Sequence, residues 1–325
     1  MKAHERAIRL GAEGEVHEAK GVLDQAMASG DGDAACVLAH WRIEGTLIRR
    51  DIREARSHFD QAVKLGCKDA EGPLMALLAS GAGGAPRDWR GALAMLESRQ
   101  GEDAWAQRQL ELIRSMALGE DGAPSEAYAP AFLSQDPLIV HFPAFLTPQE
   151  CDALIALARP KLAPSQVVHP QTGALIRDRI RTSSAAAFPL VEENPFLHAI
   201  NRRIAAASRS TWEQGEPTQI LSYEPGEEYK LHSDALNADN QRIMTFLAYL
   251  TDDFEGGETH FPHGDLRLRF PRGDAICFSN VSADMRPMQS AIHAGLPVRR
   301  GEKMVLSKWI RARPLDLTGP AGKPF

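Results

Sequence analysis

The 325-residue sequence predicts an α+β multidomain chain, a helical repeat solenoid followed by a sheet-rich barrel domain with flanking helices. Two observations carry this prediction. In the first third of the chain, small and apolar residues recur at a fixed offset with helical spacing. In the second half the pattern changes to short alternating or continuously apolar runs, punctuated by glycine and proline, as strands and turns require.

The repeat comes first. Glu18-Ala19 and Asp24-Gln25-Ala26 recur 36 residues later as Glu54-Ala55 and Asp60-Gln61-Ala62. Gly30, Leu38 and Gly45 recur at Gly66, Leu74 and Gly81 with the same offset, and a decayed third copy begins near Asp88 and Ala92 with one residue inserted. The glycines fall where helices should end, so each copy reads as a helix hairpin that buries its apolar face by stacking on the next. The pattern over 1–116 resembles Sel1-like repeats, the short relatives of the tetratricopeptide (TPR) repeat; the alternative is an alanine-rich bundle. Residues 117–135, rich in Gly, Pro and Ala without a clear period, read as a linker, and 314–325 as a tail.

The second half, 136–313, opens with a helix start at Thr147-Pro148-Gln149-Glu150, where Thr is the cap, Pro the first helical residue and Glu the third. Leu154, Ile155, Leu157 and Ala158 give that helix one apolar face, and a second helix is expected from about Asn194 to Arg209. From Gln219 onward, Met244 to Leu250 reads as a buried strand and Leu266 to Phe270 as an alternating one. Gly256-Gly257 and Arg272-Gly273-Asp274 form turns between strands. Short strands behind two flanking helices suit a double-stranded β-helix, the jelly-roll relative whose mouth can hold a metal and a small co-substrate.

Composition sets limits on partners. A net charge of −6 with 25% charged residues gives no general electrostatic reason for nucleic acid or an anionic membrane as partner. Cys36, Cys67, Cys151 and Cys277 are scattered without a Cys-x-x-Cys pair, which argues against a disulfide framework and a zinc site. The polar N-terminus lacks an apolar signal core, and no apolar run is long enough for a membrane span, so a cytoplasmic location is expected.

The chemistry concentrates in four residues. His232 and Asp234 are one residue apart, so on a strand end both reach the same side. His293 lies further along, and Lys303 follows it ten positions on. Two imidazoles and a carboxylate can hold a ferrous ion on one face and leave the opposite positions open for oxygen chemistry. Lys303 sits on a strand that otherwise reads Met-Val-Leu and is expected to point inward. A buried lysine without a counter-charge is costly, so a bound dicarboxylate gives it a reason to be there.

These residues stand in a longer ordered series. It runs Tyr223-Glu-Pro-Gly-Glu-Glu-Tyr229-Lys-Leu-His232-Ser-Asp234, then Arg242-Ile-Met-Thr245-Phe-Leu-Ala-Tyr249, Gly256-Gly257-Glu258-Thr259, His293-Ala-Gly295, Gly301-Glu-Lys303 and Trp309-Ile-Arg311. Upstream stand Asp136-Pro-Leu-Ile-Val-His-Phe and Ile180-Arg181-Thr182-Ser183-Ser184. The series resembles the prolyl 4-hydroxylase branch of the iron(II)/2-oxoglutarate dioxygenases over residues 136–313.

The resemblance implies His232, Asp234 and His293 as iron ligands and Lys303 as the partner of the distal carboxylate of 2-oxoglutarate. It implies that Tyr223 and Thr245 line the co-substrate pocket, and that Arg242, Trp309 and Arg311 face the substrate. The cofactors it implies are iron(II), 2-oxoglutarate and dioxygen, with ascorbate as a further candidate. The reaction it implies converts 2-oxoglutarate to succinate and carbon dioxide while hydroxylating a carbon, foremost a prolyl residue of a protein or peptide; the concave surface of stacked helix hairpins is expected to recruit that partner. Phe246, Tyr249 and Phe261 are expected in the core, Glu258 and Thr259 in a turn near the mouth, and His260 and His263 outside the ligand set. Only Ala235 to Gln241 separates Asp234 from Arg242, shorter than the family's closing loop, which keeps open a small-molecule substrate. A repeat-based adaptor with a sensing oxygenase domain is the remaining alternative.

Overall fold

In the computed structural model of the protein, residues 1–168, 175–177 and 180–317 are described. Of the tail read at 314–325, residues 318–325 lie outside them. The chain forms two compact units, one containing Met1–Ser125 and Pro189–Ile200, the other Glu126–Phe188 and Asn201–Leu315.

The first unit is helical: α1 (Ala3–Ala12), α2 (Val16–Ala28), α3 (Gly32–Glu44), α4 (Ile52–Lys64), α5 (Glu71–Ser80), α6 (Trp89–Arg99) and α7 (Ala104–Ser115). The helix ends carry the sequence period. α2 and α4 are each 13 residues long, and each is followed by a left-handed glycine, Gly30 at φ 90° and Gly66 at φ 87°. α3 and α5 both end on left-handed glycines, Gly45 and Gly81. Asp51 and Asp88 cap α4 and α6 by accepting the backbone N–H of Glu54 and Gly91, each at 2.8 Å, an arrangement that satisfies a donor every helix start leaves unpaired. Ala7, Leu10, Ala19, Leu23, Leu38 and Trp41 pack into one core, where small residues let the first helices approach closely. Among the described residues no helix is long and apolar enough to cross a membrane.

The second unit is sheet-rich. Its strands are β1 (Ala131–Gln135), β2 (Leu138–Phe142), β3 (Ala163–Pro164), β4 (Gln166–Val168), β5 (Leu175–Arg177), β6 (Ser184–Phe188), β7 (Thr218–Tyr223) and β8 (Tyr229–His232). They continue as β9 (Arg242–Tyr249), β10 (Glu255–Gly256), β11 (Thr259–Phe261), β12 (Leu266–Leu268), β13 (Ala275–Ser279), β14 (His293–Gly295), β15 (Val298–Arg300) and β16 (Lys303–Arg311). An eight-stranded sheet runs β1-β2-β13-β9-β16-β7-β6-β3 and a four-stranded sheet runs β12-β11-β14-β8. β16, near the middle of the large sheet, is buried along its whole length.

Two helices accompany the strands, α8 (Pro148–Ala158) and α9 (Pro195–Ala207). α8 begins as the sequence requires. The Thr147 hydroxyl accepts the Glu150 N–H, and the Glu150 carboxylate accepts the Thr147 N–H at 2.8 Å. Glu150 also takes both arms of Arg203, at 2.7 and 2.9 Å, and so ties the two helices together.

The expected linker is corrected. Residues 131–135 form edge strand β1, paired with β2, and the division between units falls after Ser125. The low-period composition of this stretch concealed a strand because an edge strand needs no continuous apolar face: Phe132 and Leu133 are exposed. Pro189–Ile200 also belongs with the helical unit, as Phe196 meets Trp105 edge-on at 6.5 Å.

Candidate active site

Period-two alternation builds a cavity in the second unit. β16 turns Lys303, Val305, Ser307 and Trp309 into it; β7 contributes Leu221 and Tyr223, β9 Thr245 and Leu247, and β14 His293 and Gly295. Tyr229, His232, Asp234 and Thr259 complete the lining. Strand register sets which of these meet. His293 is the cross-strand partner of His232, Lys303 of Tyr223, and Trp309 of Thr245.

The structure brings His232, Asp234 and His293 together, with one ligand atom from each within 4.8 Å of the others. His232 Nε2 lies 3.6 Å from Asp234 Oδ1 and His293 Nε2 3.7 Å from Asp234 Oδ2. Both rings contact a backbone carbonyl through Nδ1, His232 to Lys230 at 2.7 Å and His293 to Ala291 at 3.0 Å. A carbonyl oxygen only accepts, so Nδ1 carries the proton and each Nε2 keeps a lone pair aimed at the cluster.

Burial pushes His293 down to about 4, against the pull of Asp234, so its imidazole is neutral at neutral pH. Burial opposes ionisation of Asp234, but the His232 and His293 imidazoles beside it and the hydrogen bond from the Thr245 hydroxyl outweigh it. They hold the carboxyl well below its usual range. Neutral imidazoles and an ionised carboxylate are the forms a divalent metal takes, and two nitrogens with one carboxylate fit iron(II).

The residues around the cluster fix its rings. Tyr229 stacks on His232 with centroids 3.5 Å apart and planes 12° apart. The Arg181-Thr182 segment runs along β8: Arg181 bridges to Tyr229, and Thr182 exchanges hydrogen bonds with Glu228. Phe261 and Phe278 lie against His293 at 5.4 and 4.8 Å.

Lys303 points inward and is 4% exposed. Its ammonium donates to the Gly257 carbonyl at 2.7 Å and lies 5.4 Å from the Tyr223 ring centre. Among the described residues no carboxylate forms an ion pair with it. Burial lowers its pKa to about 8, with Glu258 pulling weakly the other way.

Tyr223 lines the cavity beside Lys303, and burial raises its phenol to about 12. Thr245 also lines the cavity, but its hydroxyl proton goes to Asp234 Oδ2 at 2.6 Å and not to the pocket. In this arrangement the Thr245 hydroxyl donates to the carboxylate that follows β8.

The three residues expected to face substrate divide. Trp309 is in the cavity wall, 7% exposed, and its Nε1 has no hydrogen-bond partner among the described residues. Arg242 lies over the Trp309 ring at 3.9 Å and grips Glu216 with two bonds of 2.7 and 2.8 Å. Arg311 is buried and committed to Glu216 and the Asn240 carbonyl, so it braces the wall instead of facing substrate.

Glu216 escaped the sequence reading because its partners lie 26 and 95 positions away. Thr259 was expected at a turn near the mouth. It starts β11 rather than forming a turn, lines the cavity, and shares a 3.1 Å hydrogen bond with the Tyr249 hydroxyl. His260 contacts Asp265 and His263 approaches Asp136.

Comparison with known proteins places this site in context. The model of the 2OG-Fe(II) oxygenase superfamily matches residues 218–311. Prolyl 4-hydroxylase 1 of Arabidopsis thaliana is 39% identical over 204 residues, covering 57% of this chain and 72% of that protein. Prolyl 4-hydroxylase 13 of the same plant is 33% identical over 205 residues, covering 57% and 74%. Among solved structures, the viral collagen prolyl hydroxylase of Paramecium Bursaria Chlorella virus-1 in its 2OG complex is 29% identical. That alignment covers 54% of this chain and 96% of that one, with a TM-score of 0.44. By its sequence relationship to these plant enzymes the chain belongs to the prolyl 4-hydroxylases of the 2OG-Fe(II) oxygenase superfamily, a family that works with iron(II) and 2-oxoglutarate.

Proposed function

We propose that the protein hydroxylates a prolyl residue of a protein or peptide. The observation that carries this reading is the pairing, in one cavity, of the His232–Asp234–His293 cluster with a buried lysine that has no carboxylate partner among the described residues. Relatives that carry the name prolyl 4-hydroxylase support it. Iron(II) held there would activate dioxygen, the oxidant, which delivers one oxygen atom to the prolyl carbon and the other to 2-oxoglutarate as it is oxidised to succinate and carbon dioxide.

The protein's part is to bind and orient. His232, Asp234 and His293 hold the metal through two Nε2 atoms and a carboxylate. Lys303 takes the distal carboxylate of 2-oxoglutarate, with Tyr223 and Thr259 beside it as hydroxyl donors. Trp309, backed by the Arg242 guanidinium, forms a flat apolar wall suited to a pyrrolidine ring, and the surrounding Leu221, Leu247 and Val305 exclude water.

We read the second unit as a double-stranded β-helix of the jelly-roll kind and the first as Sel1/TPR-like repeats that recruit the polypeptide. Ascorbate, as an accessory reductant, and a cytoplasmic setting belong to the same proposal. The rival reading, a small-molecule substrate, is favoured by one observation. The short Ala235–Gln241 segment is tied down, as Asn240 exchanges hydrogen bonds with the Arg313 backbone and the Arg311 guanidinium holds the Asn240 carbonyl.

Proline-rich peptides and free amino acids, offered side by side to the full chain, separate the two. Succinate formation coupled to a gain of one oxygen on peptidyl proline, absent in His232→Ala, is the expected result. Coupling to free amino acids alone would reject peptidyl hydroxylation.

A further inference from the structure

Asp234 is one end of a buried hydrogen-bond relay. Its Oδ2 accepts from the Thr245 hydroxyl at 2.6 Å, and that hydroxyl oxygen accepts from Asn280 Nδ2 at 3.0 Å. The three residues come from separate stretches: Asp234 just past β8, Thr245 within β9 and Asn280 just past β13. All are buried, Asp234 5%, Thr245 1% and Asn280 1% exposed.

The distances set the direction of the relay: the Thr245 hydroxyl is 2.6 Å from Asp234 Oδ2 but 3.4 Å from Asn280 Oδ1. An ionised carboxylate only accepts, so the single Thr245 proton goes to Asp234. The Thr245 oxygen is then left with lone pairs, and an amide N–H is the donor that meets them. Asn280 is itself anchored through its backbone, its N–H donating to the Ile243 carbonyl at 2.9 Å and its carbonyl accepting from Met288 N–H at 3.1 Å. The relay therefore ends on sheet backbone, which does not rotate with a side chain.

We propose that Thr245 and Asn280 are positioning residues that hold the Asp234 carboxylate in one orientation between His232 and His293. The proposal rests on reading that cluster as the metal site. Without the relay, the carboxylate can turn about its own bond, and each oxygen loses its assigned neighbour. Supporting groups of this kind commonly change metal affinity by roughly 10–100-fold.

The test titrates iron(II) without oxygen, and cobalt(II) as an absorbing stand-in, into the full chain and its variants. Thr245→Val removes the hydroxyl at nearly constant shape, and it should weaken metal binding by roughly 10–100-fold and shift the cobalt absorption bands. Thr245→Ser keeps the hydroxyl and should restore both. Asn280→Leu should weaken binding in the same direction but less, and the double variant Thr245→Val/Asn280→Leu should be no weaker than Thr245→Val, because links in series do not add.

Metal affinity in Thr245→Val within about twofold of the parent, with an unchanged cobalt spectrum, would overturn the relay. So would a loss confined to 2-oxoglutarate affinity, which would make Thr245 a co-substrate contact. If Thr245→Val does not fold, Asn280→Leu decides, and an unchanged affinity there also overturns the proposal. A parent protein that takes up neither metal defeats the metal-site reading itself, a result distinct from all of these.

Discussion

Lys303 is the residue whose chemistry is most exposed to experiment. It is fully inside and, among the described residues, has one neutral hydrogen-bond partner and lies near two aromatic rings, so its charge is under-compensated until an anion arrives. Lys303→Met should weaken 2-oxoglutarate binding by about a hundredfold, on the order of 3 kcal/mol, and leave metal binding intact. Calorimetry at fixed metal concentration checks this, and an unchanged dissociation constant refutes the role. The lowered pKa adds a pH signature. Burial lowers Lys303 from 10.5 to about 8, so between those values the unfolded chain holds a proton that the folded chain has released. Stability from this residue thus rises with pH across that window. Co-substrate affinity moves the other way, because the dicarboxylate needs the charged form. Above about pH 8, affinity should fall by up to tenfold per unit, with one proton taken up on binding, measurable by calorimetry in buffers of different ionisation enthalpy.

At the scale of elements, left-handed glycines set the helical period and alternation sets the cavity. Gly81 closes α5 at φ 67°, where an added Cβ would meet the Ala85 carbonyl at 2.9 Å and the Arg87 backbone at 3.1 Å. Gly81→Ala should cost about 1–2 kcal/mol, from the left-handed backbone and the clash together. Gly21, exposed in the middle of α2 with open space where a Cβ would go, should respond in the opposite sense. Gly21→Ala is expected to add about 0.5–1 kcal/mol. Denaturant midpoints of the two variants test the pair, and equal signs would mean that the helix ends are not where the fold is specified. Much of this level was legible in the sequence. The 36-residue offset, the Thr147–Glu150 cap and the β9 run all correspond to elements with matching positions, since each depends on neighbours within one turn or one strand. β1 was not legible, because an exposed edge strand leaves no apolar alternation to read.

At the scale of the whole molecule, the two units are not two consecutive halves of the chain. Pro189–Ile200 counts with the helical unit, where Phe196 is fully buried against Trp105 and His198 lies 6.2 Å from the Trp89 ring. A fragment beginning at Glu126 lacks both tryptophans and exposes Phe196. It should melt below the full chain and bind a hydrophobic dye, whereas a boundary that separated independent domains would leave its melting temperature unchanged. Recruitment of substrate by the repeats is therefore better tested by surface substitutions on the helices than by deletion.

Local spacing in the sequence already determined the helical period, the capped start of α8, the two-residue step from His232 to Asp234 and the inward side of β16. All of these follow from φ/ψ preference and side-chain periods of 3.6 and 2. Register was left to the tertiary structure. Only the pairing of β14 with β8 sets His293 across from His232, and only the pairing of β9 with β13 brings the Asn280 amide to Thr245. The same holds for Glu216, which joins Arg242 and Arg311 across distant segments. A hydrogen bond forms between atoms close in space, and chain separation carries no information about that until the sheets have chosen their partners.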